Sequence, residues 1–282
     1  MASEGERTAL VTGATDGVGR MVARKLAEAG MHVLAHGRDR ERGERVVDEI
    51  RAAGGSGEFL AADLASLAAV RGLAETVRER TDRLHVLINN AGVGTGGSDD
   101  TRRTSADGYE LRFAVNYLAG FLLTELLLPL LKASAPARIV NVASAGQQAI
   151  DFTDVMLTHD YSGARAYCQS KLAQIMFTVD LARELRGSGV TANALHPASY
   201  MNTTMVRQAG VTPWSSVEDG ADAILNLALS PALEGRSGLY FNQLREARAD
   251  PQAYDAEARK RLKQISRELT GLDAGAAAAA RR

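Results

Sequence analysis

Short apolar runs alternate along the chain with stretches whose apolar positions recur at helical spacing. Residues 7–12 are apolar and end at Gly13, which predicts a buried strand. Over 17–29 the apolar residues Val18, Met21, Val22, Leu26 and Ala29 predict a helix, stopped by Gly30. The same alternation predicts strands over 32–35, 58–61, 84–88, 138–142 and 190–195. It predicts helices over 40–53, 66–81, 107–131 and 164–187. Strands and helices in strict turn specify a parallel sheet covered on both faces. Three stretches break the pattern: a polar, Gly-rich loop over 94–105, a mixed segment over 146–163, and an irregular one over 199–216 that holds Pro213 and Trp214. Long loops inside a compact domain are usually functional. In open α/β sheets, ligands lie where such loops gather, outside the carboxyl ends of the strands.

Composition narrows the class. The chain has 282 residues, 45% of them hydrophobic and 24% charged, as in an average soluble domain. We expect one domain over 1–282, with a core at about 7–245 and a C-terminal helix and Ala-rich tail over 251–282; residues 274–282 are expected to fray. The formal net charge of −1 argues against a nucleic-acid or anionic-membrane binder. The single Cys168 excludes an intrachain disulfide framework and a Cys-rich metal site, so no metal is expected. Residues 1–7 lack the apolar core of a secretory leader, and the apolar stretch 118–131, broken by Glu125 and Pro129, reads as too short to span a bilayer. The expectation is a cytoplasmic protein with no membrane contact.

The Gly-rich segment 12–19 follows a strand and opens a helix. Gly13, Gly17 and Gly19 allow a tight turn and close backbone approach, with Thr15, Asp16 and Val18 between them. The helix start then offers unpaired N–H groups and a positive dipole end to a pyrophosphate. Read alone, such a turn is equally a tight strand-to-helix connection. At the end of the second predicted strand an NAD site normally carries an acid for the ribose 2′-hydroxyl. Here the chain reads Ala35-His36-Gly37-Arg38. A guanidinium pairs with a 2′-phosphate that an acid would repel, so Arg38 favours NADP over NAD. The competing reading leaves Arg38 solvated and lets Asp39 reach the ribose. Tyr167 and Lys171 stand four apart on a predicted helix and share a face. A phenol with a pKa near 10 works as an acid–base near neutrality only beside a stabilising cation, which a Lys one turn away supplies. Ser144 ends the fifth predicted strand, where its hydroxyl can bond a carbonyl.

With these motifs in order, the sequence resembles a short-chain dehydrogenase/reductase over about residues 7–245. The resemblance is carried by the glycine motif 12–19, Asp63, Asn89-Asn90-Ala91-Gly92, Asn116, Ser144 and Tyr167-Cys168-Gln169-Ser170-Lys171. The stretches 166–173 and 189–197, with an enlarged segment before Tyr167, are similar to the retinol dehydrogenase and protochlorophyllide reductase branch. The resemblance implies an α/β fold with a single Rossmann-type doubly wound parallel sheet flanked by helices. It implies an NADP(H)-dependent carbonyl/alcohol oxidoreductase, a ketone or aldehyde reductase, forming a homodimer or homotetramer through the two long helices. Asn116 would kink its helix and hold a proton-relaying water. Ser144 would orient the substrate oxygen, Tyr167 would give or take its proton, and Lys171 would lower the tyrosine pKa and bond the nicotinamide ribose. Asp63 and Leu64 would meet the adenine, and Asn90, Ala91 and Gly92 would flank its ribose. Pro197 and Thr203 would border the nicotinamide, although spacing does not decide between Thr203 and Thr204. Ala198 replaces the family's Gly after Pro197.

Other residues have blander readings. Cys168 reads as a small buried hydrophobe, His196 as a structural hydrogen-bonding group, and the charged stretch 38–45 as a solvated helix face. Tyr200, Met201 and Trp214 either cover an apolar substrate or anchor their loop. Ile150, Phe152, Val155, Met156 and Leu157 suggest a partly hydrophobic substrate, while Asp151, Asp154 and Asp160 read as loop solvation or specificity contacts. The alternatives to the reductase are a catalytically silent nucleotide-sensing scaffold and an epimerase or dehydratase that uses the cofactor transiently.

Overall fold

A computed structural model describes residues 7–96 and 101–273. The strands are β1 (Thr8–Val11), β2 (His32–Gly37), β3 (Ser56–Ala61), β4 (Val86–Asn89), β5 (Ala137–Val142), β6 (Val190–His196), β7 (Tyr240–Asn242) and β8 (Arg245–Ala247). They form one sheet in the order β3-β2-β1-β4-β5-β6-β7-β8. All pairings are parallel except β7 with β8. The order reverses between β1 and β4, so a crevice opens there at the carboxyl ends.

Successive side chains in each strand feed opposite faces. Leu10, Leu34, Leu87 and Ile139 enter one core with the helices α3 (Leu67–Arg80), α4 (Ala119–Ala133), α5 (Gly163–Glu184) and α8 (Ala256–Thr270). Ala9, Val11, Val33, Val86, Ile88 and Val140 enter the other, beneath α1 (Gly17–Glu28), α2 (Arg40–Ala52) and α7 (Val217–Leu229). The doubly wound, Rossmann-type arrangement expected from the alternation is the one observed.

The differences have local causes. The helix expected to start at 107 starts four residues later. Gly108 adopts φ +84°, the Asp107 carboxylate accepts from Leu67 N at 2.9 Å, and Glu110 accepts from Phe113 N at 2.7 Å. These residues form a turn that ties down the start of α3. The helix then opens with a π-helical turn, Phe113–Leu118, and runs through Pro129 to Ala133. The combined stretch Phe113–Ala133 spans 21 residues, and its most apolar 18-residue window has a mean hydropathy of 1.7. It is therefore long and apolar enough to cross a membrane, contrary to the sequence expectation, and most of it is buried in this core.

α7 was not anticipated, although its start is marked by a capping box between Ser216 and Asp219. α6 (Thr204–Gln208) is a short turn of helix inside the irregular 199–216 stretch. Within the region expected to be C-terminal helix, a 3₁₀ turn (Pro251–Tyr254) precedes α8. The tail expected to fray, 274–282, lies outside the described residues.

α8 lies across the groove between α4 and α5. Arg259 Nε donates to Asp180 at 2.6 Å, Lys263 pairs with Glu184, and Ser266 shares a 2.7 Å hydrogen bond with the Tyr117 hydroxyl. Part of the α5 surface expected to pair two subunits is thus occupied from within the chain.

Candidate active site

The turn between β1 and α1 is packed as tightly as backbone allows. A Cβ on Gly19 would lie 2.1 Å from Gly13 O and 2.4 Å from Asn90 Nδ2, and one on Gly13 would lie 2.8 Å from Ala91 Cα. Gly17 holds φ +51°, a conformation that suits glycine. Asp16 caps α1 by accepting from Gly17 N at 2.7 Å. Val18 and Gly19, in the first turn, have no intrahelical acceptor for their N–H groups. Thr15 packs its methyl against Gly37 at the end of β2. This is the shape and polarity that a pyrophosphate requires, and the residues fit a dinucleotide.

Asn90 braces the turn. Its side-chain amide donates to the carbonyls of Thr12 at 2.9 Å and Gly13 at 3.1 Å. Its N–H and that of Ala91 both donate to Thr12 Oγ1. That amide is committed to the protein, a structural duty the sequence reading had not seen. His36 is a second brace missed in the sequence. It is buried, its Nδ1 accepts from Gly13 N at 3.4 Å, and its Nε2 lies 3.2 Å from Ala62 O. Burial pulls its pKa down to about 4, so it is neutral, with the proton on Nε2. No motif marks such a residue, because its partners come from two other loops.

Arg38 is exposed at the tip of β2 and enters no hydrogen bond or ion pair among the described residues. Asp39 is occupied as the N-cap of α2, accepting from Arg42 N at 3.0 Å. Of the two, Arg38 is the one free to meet a ligand. Asp63 is exposed and turns its carboxylate back to Ala65 N at 3.0 Å. Leu64 is buried in the core.

Asn116 lies in the π-helical turn, a feature frequent at functional sites. It clamps Val93 from both sides, accepting from Val93 N at 2.6 Å and donating to Val93 O at 3.1 Å. The same amide donates to Ser170 Oγ at 2.9 Å. Gly92 lies beside this clamp: a Cβ there would be 3.3 Å from Asn116 Oδ1 and 3.6 Å from Lys171 Nζ. Ser144, at the end of β5, is buried. It accepts from Gly146 N at 3.0 Å and hydrogen-bonds Tyr167. Tyr240 on β7 donates to the Ser144 carbonyl at 3.0 Å, steadying that strand end.

Lys171 Nζ is 5.7 Å from the centre of the Tyr167 ring, and burial lowers its pKa to about 7. The Tyr167 pKa is raised by burial, against a lowering by the Ser144 hydrogen bond. The net direction is upward, against the lowering expected from Lys171, because burial is the largest cause. Asn116 and Lys171 stand beside Gly92, and Ser144 and Tyr167 beside Gly146, at the carboxyl edge of the sheet.

The loop after β6 closes over the crevice. Pro197 and Ala198 are buried. Thr203, rather than Thr204, sits against Gly17, with its methyl 3.1 Å from where a Cβ there would be, and it caps α6. Met205 packs on Gly94. His196 bonds Ser199 Oγ at 3.0 Å, and its pKa is lowered by burial and then by the Lys171 charge. Met201 anchors its loop by packing on Gly220 of α7. Tyr200 and Trp214 do not anchor it. They meet edge-on at 5.0 Å, and Trp214 is 73% exposed.

The 146–163 segment is held by its own side chains and by residues from elsewhere, Arg102 donating to the Met156 and Leu157 carbonyls and Gln252 bonding the Ile150 backbone. Asp151 caps Thr153, and Asp154 accepts from Thr158 and His159; those bonds hold the Asp154 pKa at about 2. Asp160 adopts φ +48°. Ile150 and Leu157 are buried, and Phe152, Val155 and Met156 pack on the core. Their apolar character therefore has a packing cause. Cys168 is half-buried, and burial raises its thiol pKa, as an inert thiol requires. Among the described residues no cluster of metal-ligating side chains occurs.

Comparison with known proteins agrees with this geometry. The short chain dehydrogenase family model matches residues 7–213, and the chain belongs to that family of oxidoreductases, which act on CH–OH groups. It sits in the retinol dehydrogenase-like branch. The chain is 40% identical to human retinol dehydrogenase 13, over 95% of this chain and 86% of that one. It is 41% identical to mouse polyprenol dehydrogenase, over 95% and 85%. Among solved structures it is similar to the Pseudomonas aeruginosa RhlG/NADP active-site complex, with a TM-score of 0.69 and 31% identity over 84% of this chain and 94% of that one. It is also similar to an actinorhodin polyketide ketoreductase with NADPH, with a TM-score of 0.70 and 26% identity over 86% and 97%.

Proposed function

We propose that the protein is an NADP(H)-dependent oxidoreductase that interconverts a carbonyl compound and its alcohol, working as a ketone or aldehyde reductase. The observation that carries this reading is the convergence of Asn116 and Lys171 at Gly92 with Ser144 and Tyr167 at Gly146, next to a glycine turn that fits a pyrophosphate. The free Arg38 guanidinium and the NADP-bound structural relatives support NADP(H) over NAD. The cradle comprises Gly13, Thr15, Asp16, Gly17, Val18 and Gly19 at the phosphates. Asp63, Leu64, Asn90, Ala91 and Gly92 stand along the adenosine, and Pro197 and Thr203 at the nicotinamide end. A bound nicotinamide supplies the hydride.

The chain's own residues handle the oxygen. Ser144 donates its hydroxyl hydrogen to the substrate oxygen. Tyr167 delivers the proton to that oxygen in reduction and removes it in oxidation. Burial keeps Tyr167 protonated, which is the form that reduction needs. Lys171 stabilises the phenolate left after transfer, and Asn116 holds the 92–93 backbone against which the cofactor lies.

The relatives named for retinol and polyprenol support an apolar primary alcohol or its aldehyde as the substrate class. The burial of most of Phe113–Ala133 supports a core helix over a bilayer span. The family resemblance supports a homodimer or homotetramer, with α8 occupying part of the α5 surface. The test is reduction of an aldehyde and ketone panel, followed at the NADPH absorbance. Tyr167→Phe is expected to lose about 100-fold or more in kcat while binding NADPH as wild type does. A Tyr167→Phe enzyme of full activity would overturn the mechanism. NADPH binding with no turnover over the whole panel would favour a silent scaffold.

A further inference from the structure

An ammonium has three N–H donors and no acceptor. In the buried Lys171, two of them are committed inside the protein: Nζ donates to Val142 O at 2.8 Å and to Gln174 Oε1 at 2.9 Å. The third is left on the side of Gly92, where a Cβ would stand 3.6 Å from Nζ. Gln174 lies almost one turn along α5, is itself buried, and is backed by a polar chain. Its backbone carbonyl accepts from Thr178 Oγ1 at 2.7 Å. Thr178 Oγ1 accepts from Asn141 Nδ2 at 2.8 Å, Asn141 Oδ1 from Asn89 Nδ2 at 2.8 Å, and the Asn89 amide also donates to Thr124 Oγ1 at 3.0 Å. The chain joins α5, β5, β4 and α4 and anchors the Gln174 backbone within the buried polar layer. The titratable groups facing Lys171 are Tyr167 on its own helix and His196 from β6. No carboxylate contributes to its titration.

We infer that Gln174 is a positioning residue for Lys171, its side-chain oxygen holding the buried ammonium so that one donor remains free toward the cleft at Gly92. The inference rests on the reading of Lys171 as part of the active site. The choice of an amide has a physical reason. A carboxylate at this position would neutralise the ammonium in a buried ion pair, whereas an amide oxygen solvates the charge and leaves its field available to Tyr167. Hydrogen bonding to the charged form favours that form and offsets part of the burial that pulls Lys171 down to about 7.

The experiment is an NMR titration of the full chain labelled with ¹³C-lysine, free of cofactor, with the Lys171 signal assigned from Lys171→Met. Gln174→Met is expected to move the Lys171 midpoint down by about one pH unit, and the isosteric Gln174→Glu to move it up by about as much. A packing role would not produce opposite signs. In NADPH-dependent carbonyl reduction, which needs Lys171 charged, the alkaline limb of the pH profile should move the same way in each variant. A midpoint unmoved in both folded variants, or moved the same way in both, overturns the inference. If Gln174→Met does not fold, the direction of the Gln174→Glu shift decides alone. Midpoints that shift as expected, together with an active Tyr167→Phe enzyme, uphold the positioning of Lys171 and overturn only its assigned reaction.

Discussion

His36 carries a neutral ring inside the phosphate turn, and its chemistry makes a prediction about stability. Its pKa falls from 6.5 to about 4 on folding, because burial disfavours the imidazolium. Protonation would also remove the Nδ1 lone pair that accepts from Gly13 N. With the folded value depressed, the stabilisation is fully present above pH 6.5 and is lost as pH falls from there toward 4. The contribution is about 3 kcal/mol at the neutral end. Melting of the wild type should therefore drop between pH 7 and pH 5 by more than that of His36→Asn; equal pH dependence in the two would contradict this account. His36 was legible as a strand-end residue, but its duty depends on Gly13 and Ala62 arriving on either side. Tyr167 and Lys171 differ in this respect, since their spacing alone places them on one helix face. Even so, the direction of the Lys171 ammonium, toward Val142 and Gln174, was decided by its surroundings.

Among the elements, α1 shows why glycines at its two ends differ. A Cβ on Gly19 would meet backbone oxygen and the Asn90 amide inside ordinary contact, while one on Gly30 would meet nothing within 4 Å. Gly19→Ala should destabilise the protein by about 1–3 kcal/mol and weaken NADPH binding at least tenfold. Gly30→Ala, which suffers only from its φ of +79°, should cost about 1 kcal/mol and leave NADPH binding unchanged. Thermal melts and a fluorescence titration of NADPH separate the two effects. The helices came close to their expected bounds where apolar period and caps agree, as in α1, α2 and α3. The helix expected from 107 started late because Asp107 and Glu110 spend their carboxylates on other backbone N–H groups. α7 carried a readable capping box, yet the short β7 and β8 strands have too few residues to show a period.

In the whole molecule, α8 binds the C-terminal region to the catalytic layer. Arg259 is buried, donates to Asp180 and to Ala253 O, and has no substitute. Arg259→Met should leave Asp180 unpaired and cost about 2–3 kcal/mol, the low end for a broken buried pair because Asp180 keeps some solvent. Lys260→Met, one residue along and exposed, should stay within about 0.5 kcal/mol. Denaturant unfolding compares them directly, and equal losses would show that α8 is not held in this way. The amino-acid sequence by itself determined the alternation of strands and helices, and so the parallel sheet. It also determined the glycine turn and the residue types of the catalytic set, because these depend on neighbours within a few positions. The tertiary structure alone decided the bracing of the turn by His36 and Asn90, the solvation of Lys171 by Gln174, and the covering of α4 and α5 by α8. The bracing contacts and those of α8 join groups tens of residues apart, which only folding brings within hydrogen-bonding distance; Gln174 is three residues from Lys171, and there it is burial of both that turns the amide onto the ammonium.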